Sequence, residues 1–191
     1  MNVIDDFIVW LEAERRLSPL TVRNYRRDVD DFLSWLGVTR ETFEPTRIKR
    51  EDIIDWSTSL FEERGLRASS VNRTIASLRT LWRWMLSHKV VEHDIFAGVH
   101  GYKTPRRLPA FVPDTRMMDV VEELRNDIYS EDFERVRDAL IILLIYTSGL
   151  RLAELVDANA EDLAADMSAL RVVGKGRKER VQPIVGSLKG I

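Results

Sequence analysis

Apolar residues recur at helical spacing through the first hundred residues, and the pattern predicts four amphipathic helices. Ile4, Phe7, Ile8 and Leu11 form the i, i+3, i+4, i+7 stripe of the first. The second is fully punctuated. Ser18 suits the N-cap and Pro19 the first helical position; Val22, Tyr25, Val29, Phe32, Leu33 and Leu36 share a face, and Gly37 stands where a left-handed C-cap is expected. A third helix is predicted over about 49–64, with Ile53, Trp56 and Leu60 inward and Gly65 as its stop. The fourth starts near Ser69 and repeats apolar residues at Val71, Ile75, Leu78, Trp82 and Met85. At 100° per residue, Asn72, Arg79 and Arg83 fall on one flank of that stripe, and Arg73, Thr80 and Ser87 on the opposite, outer face.

The periodicity then lapses. Residues 101–113 hold three prolines and three basic residues and read as an extended linker. Helical patterns resume over about 115–127 and 133–147. The second of these includes seven consecutive apolar residues, 139–145, which predict a helix buried on all sides. Ser148-Gly-Leu-Arg151 breaks it, and Leu152 to Val156 make a short further helix. After that the period falls to two: 169–173 and 180–184 read as strands of a hairpin around Gly174-Lys-Gly-Arg-Lys178.

With 45% hydrophobic residues, the 191-residue chain has enough apolar material for packed cores. The absence of cysteine excludes a disulfide scaffold, thiol catalysis and thiolate metal sites, and leaves His88, His93 and His100 as the imidazole ligands. Asp5 and Asp6 lie where a signal peptide needs basic and apolar residues, and no segment approaches ~20 apolar residues, so a soluble, cytoplasmic protein is expected. Asp28, Asp30 and Asp31 are clustered but continue as helix without a glycine turn, which favours a solvated face over a calcium loop. No metal is expected.

The net charge is −2, but it is unevenly spread. Residues 64–91 hold six basic residues and no acid, and residues 171–191 hold six against Glu179. Lys103, Arg106 and Arg107 make the linker basic. The compensating acids fall in 114–138, with nine acids and four bases, and in 152–170, with five acids and no base. Such a chain can present basic faces to phosphate.

Two basic residues stand in special settings. Arg151 follows the apolar helix through a glycine turn, with Glu154 three residues on. That spacing fits an internal ion pair, and it equally fits a guanidinium oriented by Glu154 for bidentate contact with phosphate. Lys175 lies between two glycines at the hairpin tip, either simply exposed or able to enter a groove beside a phosphate. The tip lacks the spacing of a Walker loop.

These residues resemble the tyrosine recombinases, in particular the Xer-type enzymes and related phage integrases. Leu17-Ser-Pro-Leu-Thr-Val-Arg-Asn-Tyr-Arg-Arg-Asp-Val-Asp-Asp-Phe-Leu-Ser-Trp35 is similar to the signature helix of their core-binding domain, and Ser70-Val-Asn-Arg-Thr-Ile-Ala-Ser-Leu-Arg-Thr-Leu-Trp-Arg-Trp-Met85 to its last helix. Pro105-Arg-Arg-Leu-Pro109 resembles the interdomain linker. Tyr146-Thr-Ser-Gly-Leu-Arg-Leu-Ala-Glu-Leu155 resembles the segment bearing the first catalytic arginine, which falls on Arg151. Val173-Gly-Lys-Gly-Arg-Lys-Glu-Arg180 resembles the hairpin bearing the catalytic lysine, which falls on Lys175.

The resemblance implies a mainly α protein: a four-helix, SAM-like core-binding domain (1–100), a basic linker (101–113) and the N-terminal part of an α/β catalytic domain with a β-hairpin (114–191), together clamping duplex DNA. It implies DNA breakage and rejoining through a 3′-phosphotyrosine with no cofactor, on double-stranded DNA, in concert with other recombinase protomers. Arg151 would stabilise the phosphorane, Lys175 would protonate the leaving 5′-oxygen, and Glu154 would support Arg151. Expected DNA contacts are Arg23, Arg26, Arg27, Asn72, Arg73, Arg79, Arg83, Lys103, Arg106, Arg107, Arg177 and Lys178. The family's His-x-x-Arg motif, second His or Trp, and nucleophilic Tyr all follow the hairpin, and no His, Trp or Tyr follows Lys175 here. These residues are therefore expected to be a DNA-binding fragment, inactive by itself. The alternatives are a non-catalytic module that occupies or regulates a recombination site, and a helical protein-interaction domain with an incidental basic face.

Overall fold

Two units, Met1–Arg107 and Leu108–Ile191, divide the chain, each around its own apolar cluster. The computed structural model describes residues 2–105, 111–174, 176 and 178–184.

In the first unit, local chemistry sets the helix ends. Helix α1 (Val3–Ala13) starts at Asn2, whose side chain accepts from Asp5 N at 3.0 Å, and it buries Ile4, Phe7, Ile8 and Leu11. Helix α2 (Pro19–Leu36) is capped by Ser18, which accepts from Thr21 N at 3.3 Å, and ends at Gly37 with φ of +71°. Helix α3 (Arg50–Thr58) does not run uninterrupted to residue 64 as the pattern predicts; it widens into a π turn over Ser59–Glu63. Leu60 is still buried, and Gly65 ends the segment at φ of +64°.

Helix α4 (Ala68–Ser87) buries its predicted stripe, but also Thr74, Ser77, Leu81 and Trp84. The face expected to point outward therefore meets α2. Arg73 binds Asp28, and Tyr25 Oη donates to Thr80 Oγ1 at 3.5 Å. A helix flanked on two sides buries more than one stripe. The α2 aspartates are likewise not a solvated face. Asp28 is 3% exposed and pairs with Arg73 and Ser77. Asp30 takes both arms of Arg40, at 2.7 and 2.6 Å. Asp31 accepts from Arg64 at 2.6 Å and from Trp56 Nε1 at 3.3 Å. Each carboxylate ties α2 to another element, so Arg64 and Arg73 of the basic run 64–91 are neutralised within the fold.

Val91, Phe96 and Val99 carry the chain back over the core. Residues 101 and 102, assigned to the linker by pattern, are bound to α4: Asn72 Nδ2 donates to Tyr102 O at 2.8 Å and Tyr102 N donates to Asn72 Oδ1 at 2.7 Å.

The second unit comprises α5 (Asp114–Asp127), α6 (Phe133–Ser148), α7 (Leu152–Val156) and an antiparallel hairpin of β1 (Ala169–Gly174) and β2 (Lys178–Pro183). Asp132 caps α6 and Gly149, at φ of +63°, ends it. The apolar run 139–145 is not buried all round. Ala139 and Leu143 are 1% exposed, whereas Ile141 and Ile142 are 36% and 44% exposed. Among the described residues, α5 and α7 pack on α6, and the face bearing Ile141 and Ile142 is left to solvent. In the hairpin, Val172 pairs with Arg180 and Gly174 with Lys178, and Leu170 and Val172 join the core. No helix among the described residues is long and apolar enough to cross a membrane.

Candidate functional site

The turn after α6 builds the site. Gly149 reverses the chain, Leu150 anchors in the second core, and Arg151 stands at the N-cap of α7 in extended conformation, at φ −75° and ψ 147°. Arg151 N donates to Glu154 Oε2 at 2.9 Å, and Arg151 Nη1 donates to Glu154 Oε1 at 2.7 Å. The ion pair expected from the spacing is thus formed, yet it uses one guanidinium donor. The Arg151 side chain is 68% exposed, and its remaining N–H groups have no partner among the described residues.

Glu154 is 4% exposed, and the sequence reading missed what buries it. Arg180, on β2, donates Nη1 to Oε1 at 2.6 Å and Nη2 to Oε2 at 2.8 Å. This fork from Arg180, followed by the Arg151 backbone N–H, holds the Glu154 carboxyl far below the usual carboxylate range. Glu154 in turn raises the Arg180 guanidinium above its ordinary value. The signal for Arg180 was in the strand alternation. Arg180 and Gln182 face the same way as their partners Val172 and Leu170, while Val181 and Val173 are 69% and 52% exposed. A cation on the core side of a strand needs a buried acid.

The charge runs partly cancel in the same manner. Arg171 donates to Asp162 at 2.8 Å, so two basic residues of 171–191 pair with acids of 152–170. Asp162 is lowered, first by the backbone N–H of Asn159 and then by Arg171.

The expected DNA contacts divide into groups. Asn72 and Arg73 are engaged as described above, and Arg79 donates Nη2 to Val99 O at 2.8 Å with its guanidinium over the Phe96 ring. These three expected DNA contacts thus also have polar groups engaged within the fold, Arg73 holding α2 and Asn72 and Arg79 holding the segment after α4. Arg26 lies 3.9 Å from Glu12 and Arg27 lies 3.7 Å from Asp28, both exposed. The side chains of Arg23, Arg83, Lys103 and Lys178 are exposed and have no hydrogen bond or ion pair within the described residues. Arg106, Arg107, Lys175 and Arg177 lie outside the described residues. Lys175 is flanked by Gly174, the last residue of β1, and by Gly176 at φ of +80°. The described residues contain no cluster of three His, Cys, Asp or Glu able to hold a metal ion.

Residues 4–89 match the phage integrase N-terminal SAM-like domain, and residues 116–189 match the phage integrase family. The tyrosine recombinase XerD of Listeria monocytogenes is 32% identical over 183 residues, covering 96% of this chain and 60% of its own length. XerD of Pasteurella multocida is 33% identical, with 95% and 59% covered, and XerC of Stutzerimonas stutzeri is 32% identical, with 96% and 59% covered. The chain spans about 60% of the length of these curated relatives. Among solved structures, a lambda integrase (75–356) dimer bound to a COC′ core site matches with a TM-score of 0.69 at 16% identity, over 98% of this chain and 62% of that one. The XerH site-specific recombinase bound to its difH substrate in a pre-cleavage complex matches at 0.60 and 17%, over 89% and 49%. At these identities the structural likeness establishes the fold. Both matched segments occur in one order along the chain, and the Xer relatives align with nearly all of it: the chain belongs to the phage integrase family of tyrosine recombinases.

Proposed function

We propose that these residues form the DNA-grasping part and the first half of the catalytic set of a site-specific recombinase acting on duplex DNA with other protomers of its kind. The observation that carries this reading is the asymmetry at Arg151. Its guanidinium is largely exposed while its back is held by Glu154, a buried carboxylate with no further acceptor capacity. In strand cleavage, a tyrosine hydroxyl attacks the scissile phosphate, the 5′-oxygen leaves, and a 3′-phosphotyrosine remains. Arg151 stabilises the charge on the phosphorane, and Lys175 gives the leaving oxygen its proton. On this reading none of Tyr25, Tyr102, Tyr129 and Tyr146 is the nucleophile, because all four precede the hairpin. Arg23, Arg26, Arg27, Arg83, Lys103 and Lys178, with Arg106, Arg107 and Arg177, supply the backbone contacts.

The test is duplex binding by the 191-residue chain across a salt series. With on the order of six phosphates neutralised, affinity falls roughly a thousandfold between about 50 and 200 mM salt. A flat response overturns the reading in favour of a protein-interaction domain.

A further inference from the structure

We propose that Arg180 and Gly174 position Arg151: the hairpin that carries Lys175 reaches back through Glu154 and fixes the direction in which Arg151 presents its free donors. The inference rests on the reading of Arg151 as the phosphate ligand, and it concerns residues that never touch the phosphate.

Glu154 accepts four hydrogen bonds, two from Arg151 and two from Arg180, one of each on either oxygen. A carboxylate offers about four such sites, so the group is saturated. The two arginines use it differently. Arg180 spends both terminal nitrogens on Glu154 and directs Nε to Gln182 Oε1 at 3.4 Å, which leaves it little to offer a ligand. Arg151 spends a single terminal nitrogen and keeps the rest of its fork toward solvent. Two parallel bonds from a planar guanidinium fix the plane of the carboxylate, which one bond cannot do. With its plane fixed, Glu154 pulls Arg151 along one direction. Without Arg180, half of the acceptor sites of a buried carboxylate lose their donors, and only the two bonds from Arg151 itself hold its plane.

Gly174 makes the approach possible. A Cβ there would stand 3.1 Å from Glu154 Oε1 and 3.4 Å from Arg180 Nη1. Its φ is not left-handed, so the demand for glycine is one of space. The carboxylate, held by four donors, has little room to retreat. Gly174 also immediately precedes Lys175 in the chain, so the strand that makes room for the carboxylate is the one that delivers the lysine.

The test uses the 191-residue chain and the arginine side-chain resonances of Arg151 in nitrogen-15 NMR at low temperature. A guanidinium pinned at Nη1 rotates slowly and gives separate Nη signals. In R180M these signals are expected to merge, and in R180K they stay merged, because an ammonium keeps the charge without the fork. G174A, which changes no charge, merges them too and carries the test should R180M fail to fold. R171M is the control: it removes a hairpin arginine bonded to Asp162 and leaves the Arg151 signals separate. Separate Arg151 signals in R180M and G174A, or their loss in R171M, overturn the proposal by reducing Arg180 to a general prop of the hairpin. Duplex DNA is then added to the wild-type chain. Absence of any Arg151 shift on saturation overturns the phosphate reading itself, whereas the result in the free chain stands apart from it.

Discussion

Arg73 holds the buried carboxylate of Asp28 across the α2–α4 interface, Nη1 to Oδ2 at 2.5 Å and Nη2 to Oδ1 at 3.1 Å, while its own side chain stays 45% exposed. A residue that charge and periodicity put forward for DNA is thus one that joins two helices. Ser77 Oγ completes the site, donating to Asp28 Oδ2 at 2.7 Å.

Replacing Arg73 with alanine leaves Asp28 in the interface with Ser77 as its remaining side-chain donor. A loss of about 1–3 kcal/mol in stability is expected, from a buried acceptor that loses both hydrogen bonds of its charged donor and keeps only the exposed Arg27, 3.7 Å away, as a counter-charge. Arg83→Ala, on the same helix but without a partner among the described residues, costs within about 0.5 kcal/mol. Urea unfolding midpoints of the two variants separate these outcomes; equal costs would mean that the Asp28 pair contributes nothing.

Glu154 makes stability depend on acid. Its folded pKa lies below the unfolded value, so its contribution is fully present above the ordinary glutamate range, around pH 4.3, and is lost as pH falls below it. Asp162, also lowered, acts with the same sign. Melting temperatures of the wild-type chain should therefore drop steeply below about pH 4. Glu154→Gln is expected to start lower at pH 7 and decline less. Parallel profiles for the two proteins would show that Glu154 titrates alike in the folded and unfolded chain.

What could be read in advance follows the range of the interactions. Ser18, Pro19 and Gly37 act within a turn of their own helix, so the ends of α2 were legible residue by residue. The Arg151–Glu154 pair was legible for the same reason. Arg180 lies 26 residues from Glu154, and nothing local ties them; alternation along β2 shows that Arg180 faces inward but not what it meets. Run 139–145 misled in the other direction, because a uniformly apolar segment carries no information about which side is packed. The same limit applies to α4: the stripe at Val71, Ile75 and Leu78 marks one buried face, whereas contact with α2 adds a second through Thr74 and Ser77.

Asn72 and Gly101 form a second close fit with a measurable consequence. A Cβ on Gly101 would come within 2.8 Å of Asn72 Oδ1, the acceptor for Tyr102 N. Gly101→Ala must therefore displace the amide that clamps Tyr102. Hydrogen exchange at the Tyr102 amide is expected to accelerate in Gly101→Ala and in Asn72→Ala alike, with the protection of α4 retained. Unchanged exchange at Tyr102 in Asn72→Ala would show that its stacking on Phe61, at 4.6 Å between ring centroids, suffices to hold the segment.

The last prediction separates Arg151 from the rest of the basic surface. Each phosphate neutralised on duplex DNA contributes about 0.9 to the slope of log affinity against log salt, so a residue that meets one phosphate is recognised by the slope it removes. Arg151→Ala deletes an exposed guanidinium whose one intramolecular side-chain bond is to Glu154, and Glu154 keeps both bonds from Arg180 and the bond from the Arg151 backbone. The carboxylate therefore stays satisfied and the fold of the second unit is expected to persist, which the unfolding midpoint checks. DNA affinity should fall modestly and equally for unrelated duplex sequences, with the slope reduced by about 0.9, because backbone contacts position the protein without reading bases. Arg79→Ala is the contrast: its guanidinium donates to Val99 O within the first unit, so the slope is expected to stay the same while stability falls. A variant at Arg151 that leaves the slope untouched would show that its open fork does not meet the phosphate backbone.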